Sequence, residues 1–165
     1  MARNAFYSFH YQPDNMRAAR VRNMGVIAGN SSCSDNDWES VKRGGDDAIK
    51  RWIAGQLAGR STCIVLIGEA TAGRKWISYE ISEAWNKGMA LLGIHVHNML
   101  DWDSRRAMKG GNPFDHVTLN ATGAKLSTIV PVYDPPFWDS TQVYRHIADN
   151  LGGWIEHAHG VRKAA

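Results

Sequence analysis

The sequence predicts an α/β domain of flavodoxin-like type, a three-layer sandwich with a central, mainly parallel, five-stranded sheet between two layers of helices. Three observations carry the prediction. Short β-rich runs alternate along the chain with longer segments of helical period. The run 62–67 is apolar almost from end to end, as a strand covered by helices on both faces must be. The runs that read as strands number five, which suits a flavodoxin-like sheet.

In chain order, residues 5–9 read as the first strand and 25–28 as the second. Residues 62–67 form the third and the centre of the sheet, 91–97 the fourth and 127–132 the fifth. Between them, Asp14 is placed to cap a helix over 16–22. Asp46 and Asp47 open a helix in which Ile49, Trp52, Ile53 and Leu57 keep helical spacing, and Gly59 stops it. A further helix spans 75–86 and ends at Gly88. Ser140 is placed to cap a C-terminal helix over about 140–158, carrying Val143, Ile147 and Leu151 and, past a kink at Gly152 and Gly153, Trp154 and Ile155. Two stretches resist assignment: the polar 30–45, with Trp38 inside it, and 101–124, centred on Gly110, Gly111, Asn112 and Pro113. Long loops in compact domains are usually functional or mobile. The whole of 1–165 reads as one domain, with 101–124 as a long loop or insertion.

Composition narrows the function. A chain of 165 residues hides about 70% of its unfolded surface, enough for a core without staples. Nineteen Lys and Arg against 16 Asp and Glu give a net charge of +3, spread along both halves, which argues against a dedicated nucleic-acid or membrane-surface binder. The longest apolar run is five residues, 63–67, and residues 1–4 lead straight into a strand-like segment, so a soluble, cytoplasmic protein is expected. Cys33 and Cys63 have no metal-ligand spacing and fit a reducing compartment. Seven tryptophans exceed what packing alone needs.

In an open parallel sheet the ligand crevice lies beyond the carboxyl ends of the strands, so the residues just after each strand are the candidates. Phe9, His10, Tyr11 and Gln12 come after the first strand, and Gly68 to Lys75 lead from the third into a helix with the pattern Trp76-x-x-x-Glu80. On that helix Ile77, Ile81, Ala84 and Gly88 form a buried stripe, and Glu80 lies roughly 70° from its centre, one turn from Trp76. A partly desolvated carboxylate beside an aromatic ring is set up for a raised pKa; a boundary residue paired with Lys87 or Arg74 is the plainer alternative. His95 and His97 share a strand face but have no third ligand at a fixed spacing, so no metal is expected, and His157 and His159 read as surface residues. No P-loop, no Gly-x-Gly-x-x-Gly and no nucleophile elbow is present, which removes the usual kinase, dehydrogenase and triad-hydrolase readings. An acidic pair after the first strand is also missing, which disfavours a receiver domain.

Residues 5–11, 49–57, 62–68 and the segment Lys75-Trp76-Ile77-Ser78-Tyr79-Glu80-Ile81, in this order and spacing, resemble the bacterial TIR-like proteins of the Thoeris antiphage defence type. The resemblance continues through 92–97 and 111–115 and covers most of 3–133. It implies a TIR domain that cleaves NAD at the nicotinamide–ribose bond, with Glu80 as the catalytic residue. Phe9 and His10 would line the nicotinamide and ribose pocket, Ser8 would stand behind them and Trp76 would border it. NAD is the implied substrate, with no cofactor and no metal. The loop 30–45 would close the site or contact a neighbouring protomer, so self-association on activation is expected, along with a phage trigger and an effector reached through a diffusible nucleotide. Enzymatic TIR domains often carry Cys after the Trp, where this chain has Ile77. Loss of nicotinamide leaves an oxocarbenium-like ribose that one carboxylate can stabilise. Whether water or an internal nucleophile captures it decides between hydrolysis and cyclisation, and a cyclic, ADP-ribose-derived signal is the favoured product. A non-catalytic TIR-like adaptor is the alternative reading, and a nucleotide receptor without turnover a weaker third.

Overall fold

The computed structural model describes residues 4–24 and 41–165. The second expected strand, Cys33, Trp38 and most of the 30–45 stretch lie outside these residues.

β1 (Ala5–Ser8) is followed by α1 (Tyr11–Arg22), α2 (Gly45–Leu57), β2 (Thr62–Ile67), α3 (Lys75–Asn86), β3 (Ala90–His95), β4 (Val132–Tyr133) and α4 (Ser140–Ala164). The strands lie side by side in the order β1-β2-β3-β4, all parallel, with Ala5 opposite Thr62, Thr62 opposite Ala90 and Gly93 opposite Val132. A flavodoxin-like order of 2-1-3-4-5 leaves this order once its second strand is set aside. Four strands lie among the described residues, and the expected second strand of the five falls outside them.

Strand alternation sorts the core into two faces. Ala5, Tyr7, Ile64, Leu66, Leu92 and Ile94 pack against Ala18 and Val21 of α1 and Val143, Ile147, Leu151 and Ile155 of α4. Phe6, Cys63, Val65, Ile67 and Leu91 pack against Ile49, Ile53 and Leu57 of α2 and Ile77, Ile81 and Ala84 of α3. Every residue of β1, β2 and β3 is buried, as strands covered on both faces require. Among the described residues no helix is long and apolar enough to cross a membrane.

Several local expectations need correction. Asp14 does not cap α1: the helix starts at Tyr11, with His10 at its N-cap, and Asp14 is buried inside the first turn, where Arg17 Nη1 donates to its Oδ1 at 2.8 Å. The helix tolerates Pro13 because the missing N–H falls in the first turn. Residues 41–43, the last of the polar stretch before Gly44 and Gly45, are helical. The expected fifth strand over 127–132 is displaced to β4, and residues 127–131 are not strand. Leu126–Thr128 is a 3-10 turn in which Thr128 Oγ1 donates to the Lys125 carbonyl at 2.6 Å, a hydroxyl competing for the backbone, and pairing starts only at Val132, after Pro131. Asp139, not Ser140, caps α4, accepting from the Gln142 N–H at 3.0 Å; Ser140 Oγ instead accepts from the Leu100 N–H. α4 runs unbroken through Gly152 and Gly153 to Ala164. On it His157 is exposed, but His159 is half-buried and hydrogen-bonds Thr62 Oγ1 at 2.7 Å.

The 101–124 stretch is packed rather than loose. Asn112 accepts from the Phe114 N–H at 2.9 Å and opens the 3-10 turn Pro113–His116, which drives Phe114 fully into the core on the α3 side beside Val117 and Leu126. Arg17 ties the preceding segment to α1, donating to the carbonyls of Met99 at 2.7 Å and Arg105 at 2.9 Å. Backbones meet directly here: a Cβ on Gly110 would lie 2.1 Å from the Gly68 carbonyl oxygen, and one on Gly68 would lie 2.1 Å from Asp14 Oδ2. Phe114→Ala is expected to cost about 3–5 kcal/mol in urea unfolding, as loss of a fully buried ring does; a loss under about 1 kcal/mol would show the stretch to be dispensable to the core.

Candidate functional site

On β1, Phe6 faces α2 and α3, and by the two-residue period so does Ser8, the last residue of the strand. On α3, Ile77, Ile81 and Ala84 turn toward the sheet, and Glu80 lies among them with 7% exposure. The two meet: Ser8 Oγ donates a short hydrogen bond to Glu80 Oε2. The carboxyl is thus more deeply buried than helix arithmetic suggests, and its partner is Ser8 rather than Lys87 or Arg74. Burial first and the Glu80 charge second push the thiol of Cys63 on β2 well above its usual range. Burial raises the Glu80 carboxyl from 4.5 to about 8, while the Ser8 hydrogen bond pulls the other way. At neutral pH most of it holds its proton.

Glu80 lies at the wall of a cavity of about 520 Å³. Phe9, His10 and Tyr11 enter from the exit of β1, Ile49 and Trp52 from α2, and Trp76 and Ile77 from α3. Phe9 stacks on Tyr11 with ring centres 6.0 Å apart, and Trp76 meets Tyr79 edge-on at 5.5 Å. His10 has its pKa lowered by burial and then by the charge of Arg74, and its buried Nδ1 has no hydrogen-bond partner among the described residues. Arg22, Lys42, Arg74 and Lys75 also line the cavity.

Of the residues singled out in the sequence, Phe9, His10, Trp76 and Glu80 line this one cavity and Ser8 holds Glu80 from behind. Trp52, Lys42 and Arg22 carry no such signal: the helical spacing of Trp52 reads as core, and nothing in cations scattered along a sequence tells that they converge. His95 and His97 lie elsewhere, buried with rings 5.7 Å apart and edge-on. Burial foremost lowers the pKa of each. Among the described residues no cluster of three His, Cys, Asp or Glu is arranged to hold a metal.

A flavodoxin-like parallel sheet, with a buried carboxyl on a Trp-x-x-x-Glu helix at its carboxyl edge, defines a TIR-like domain. The family described as Thoeris protein ThsB, TIR-like domain, matches residues 6–101, and the chain belongs to that family. A protein of Bacillus cereus (strain MSX-D12), provisionally named cyclic ADP-D-ribose synthase ThsB1, is 39% identical over 122 residues. That match covers 71% of this chain and 64% of the relative, so the chain aligns with less than two thirds of the relative's length.

The Glu80 carboxyl keeps in the folded state, between pH 4.5 and about 8, a proton that the unfolded chain releases, so it subtracts stability as pH rises through that window. Glu80→Gln lacks this penalty. Its melting temperature is expected to exceed the parent's by a margin that widens from pH 5 to pH 8.5, reaching a few kcal/mol in unfolding free energy. Parallel stability curves for the two proteins would show that Glu80 is not held out of water.

Proposed function

We propose that this protein cleaves NAD at the bond between nicotinamide and ribose, with Glu80 as the catalytic carboxylate, and releases a cyclic ADP-ribose-derived nucleotide as a defence signal. The observation that carries the reading is the Glu80 carboxyl at the wall of an aromatic-sided cavity, fixed in place by Ser8. Family membership supports it, as does the name of the Bacillus cereus relative.

The chemistry needs little else. The C1′–N bond breaks, its electron pair leaves with the nicotinamide nitrogen and neutralises the pyridinium, and the ribose becomes an oxocarbenium-like cation. An ionised Glu80 close to that carbon stabilises the developing charge in a site where desolvation strengthens the effect. In the free protein the carboxyl is mostly protonated at neutral pH. A bound pyridinium lowers its pKa, so substrate binding expels a proton. Phe9 and Trp76 supply apolar walls for the nicotinamide, and burial and then Arg74 lower the His10 pKa, which disfavours a competing positive charge there. A cyclic product forms when an internal nucleophile of the same molecule, an adenine nitrogen or a ribose hydroxyl that gives up its proton, captures C1′ ahead of water.

Glu80→Gln is expected to reduce nicotinamide release at least about 100-fold while the protein stays folded. In the parent, kcat/KM rises with pH and levels off above about 8, because that profile tracks the free enzyme's carboxyl. Full activity in Glu80→Gln, or a profile flat from pH 6 to 9, would remove Glu80 from the mechanism. Phe9 and Trp76 are half-buried, so at least one of Phe9→Ala and Trp76→Ala is expected to melt near the parent yet lose most nicotinamide release. If both variants cleave normally, or both unfold readily, the nicotinamide does not sit against these rings.

A further inference from the structure

The charged residues that line the cavity are distributed unlike those of the chain. Lys and Arg number 19 overall against 16 Asp and Glu, close to balance. Around the cavity, among the described residues, four cations (Arg22, Lys42, Arg74 and Lys75) face one carboxyl, Glu80, which is mostly neutral when the site is empty. A cavity with aromatic walls and cations of one sign fits a ligand that is aromatic and polyanionic.

Two of the cations are committed to the walls. Lys75 Nζ lies 4.8 Å from the Trp76 ring centre and bonds Asp46 at 2.7 Å, and the Arg22 guanidinium lies 5.5 Å from the Phe9 ring centre. Arg74 is exposed and makes no ion pair among the described residues. It occupies the N-cap of α3, an end that no side chain among the described residues caps, and Gly73 through Ile77 all line the cavity. The first turn of that helix and an arginine thus both belong to the cavity lining, and a helix N-terminus and a guanidinium each favour an anion. Arg74 stands close enough to the β1 side for its charge to depress His10. Along the helix it precedes Glu80 by six positions, about 9 Å of rise, which is the scale of a ribose carrying a 5′-diphosphate.

We infer that the cationic side of this cavity is a diphosphate clamp, with Arg74 as its specificity-determining residue, so that the site selects dinucleotides over nicotinamide mononucleotide and nicotinamide riboside. The inference rests on reading the cavity as a nicotinamide-dinucleotide site and adds what recognises the diphosphate. Arg74 binds and positions; it takes no part in breaking the bond.

The test uses ADP and adenosine as probes, monitored through the fluorescence of Trp52 and Trp76, alongside nicotinamide release from NAD and from nicotinamide mononucleotide. The parent is expected to bind ADP at least about tenfold tighter than adenosine, and added salt to erode the difference. Arg74→Ala loses about tenfold in ADP affinity and none for adenosine, Arg74→Lys recovers part of the loss, and Lys87→Ala at the far end of α3 changes nothing. With NAD, Arg74→Ala raises KM about tenfold with kcat nearly unchanged, while its weak turnover of nicotinamide mononucleotide barely moves. Equal affinity of the parent for ADP and adenosine, or ADP binding by Arg74→Ala as tight as the parent's, would overturn the clamp. If ADP binding shows the expected pattern but no protein releases nicotinamide, the clamp stands and the cleavage reading falls.

Discussion

A carboxyl group taken out of water costs several kcal/mol unless something holds it, and among the described residues Glu80 is held by one side-chain hydrogen bond, from Ser8. That bond sets strict demands on its surroundings. Ser8 must end β1 on the face that turns to α3, which the alternation from Phe6 fixes. α3 must present position 80 rather than 79 or 81 to that strand end, which the burial of Ile77, Ile81 and Ala84 fixes. A rotation of the helix by one residue would place Tyr79 or Ile81 there and leave the Ser8 hydroxyl without its acceptor. The apolar packing of α3 on the sheet is thus what keeps a polar pair in register, and the pair in turn gives the cavity its chemistry.

The stabilising work is divided between two parts of the chain. The lining of the cavity, from Phe6 to Glu80, falls wholly within residues 6–101, the span of the family match. The C-terminal part of the chain buttresses it: Phe114 and Leu126 extend the core under α3, and α4 covers the opposite face of the sheet through Val143, Ile147 and Leu151. Lines of support run through the sheet, so the cavity is braced from behind by residues that never touch it.

Legibility in the sequence depended on the range of the interaction. α3 has the expected limits, 75–86, because its stripe of Ile77, Ile81 and Ala84 repeats with the helical period, and β2 has the expected limits because a doubly covered strand is uniformly apolar. The link between Trp76 and Glu80 is readable for the same reason, being one turn of helix. Reading fails where a side chain takes a distant or backbone partner over the local one. Asp14 turns to Arg17 inside the helix, Ser140 gives its oxygen to Leu100 and leaves the cap to Asp139, and the hydroxyl of Thr128 takes a carbonyl where a strand is expected. The Ser8–Glu80 bond joins residues 72 positions apart, and the four cations come from three separate segments. No periodicity reports such convergence.

Asp14, Gly68 and Gly110 belong to three different segments, yet each occupies space that a larger neighbour would need. The Gly68 hydrogen atoms leave room for the Asp14 carboxylate, and those of Gly110 leave room for the Gly68 carbonyl. In the history of such a sequence these three positions can drift only together, since any one of them enlarged alone drives two backbones or a buried ion pair apart. Lys42 and Arg74 stand exposed at the cavity, where a change of side chain meets no such obstacle. Descendants of this protein are therefore free to alter what the cavity attracts well before they can alter the framework that shapes it.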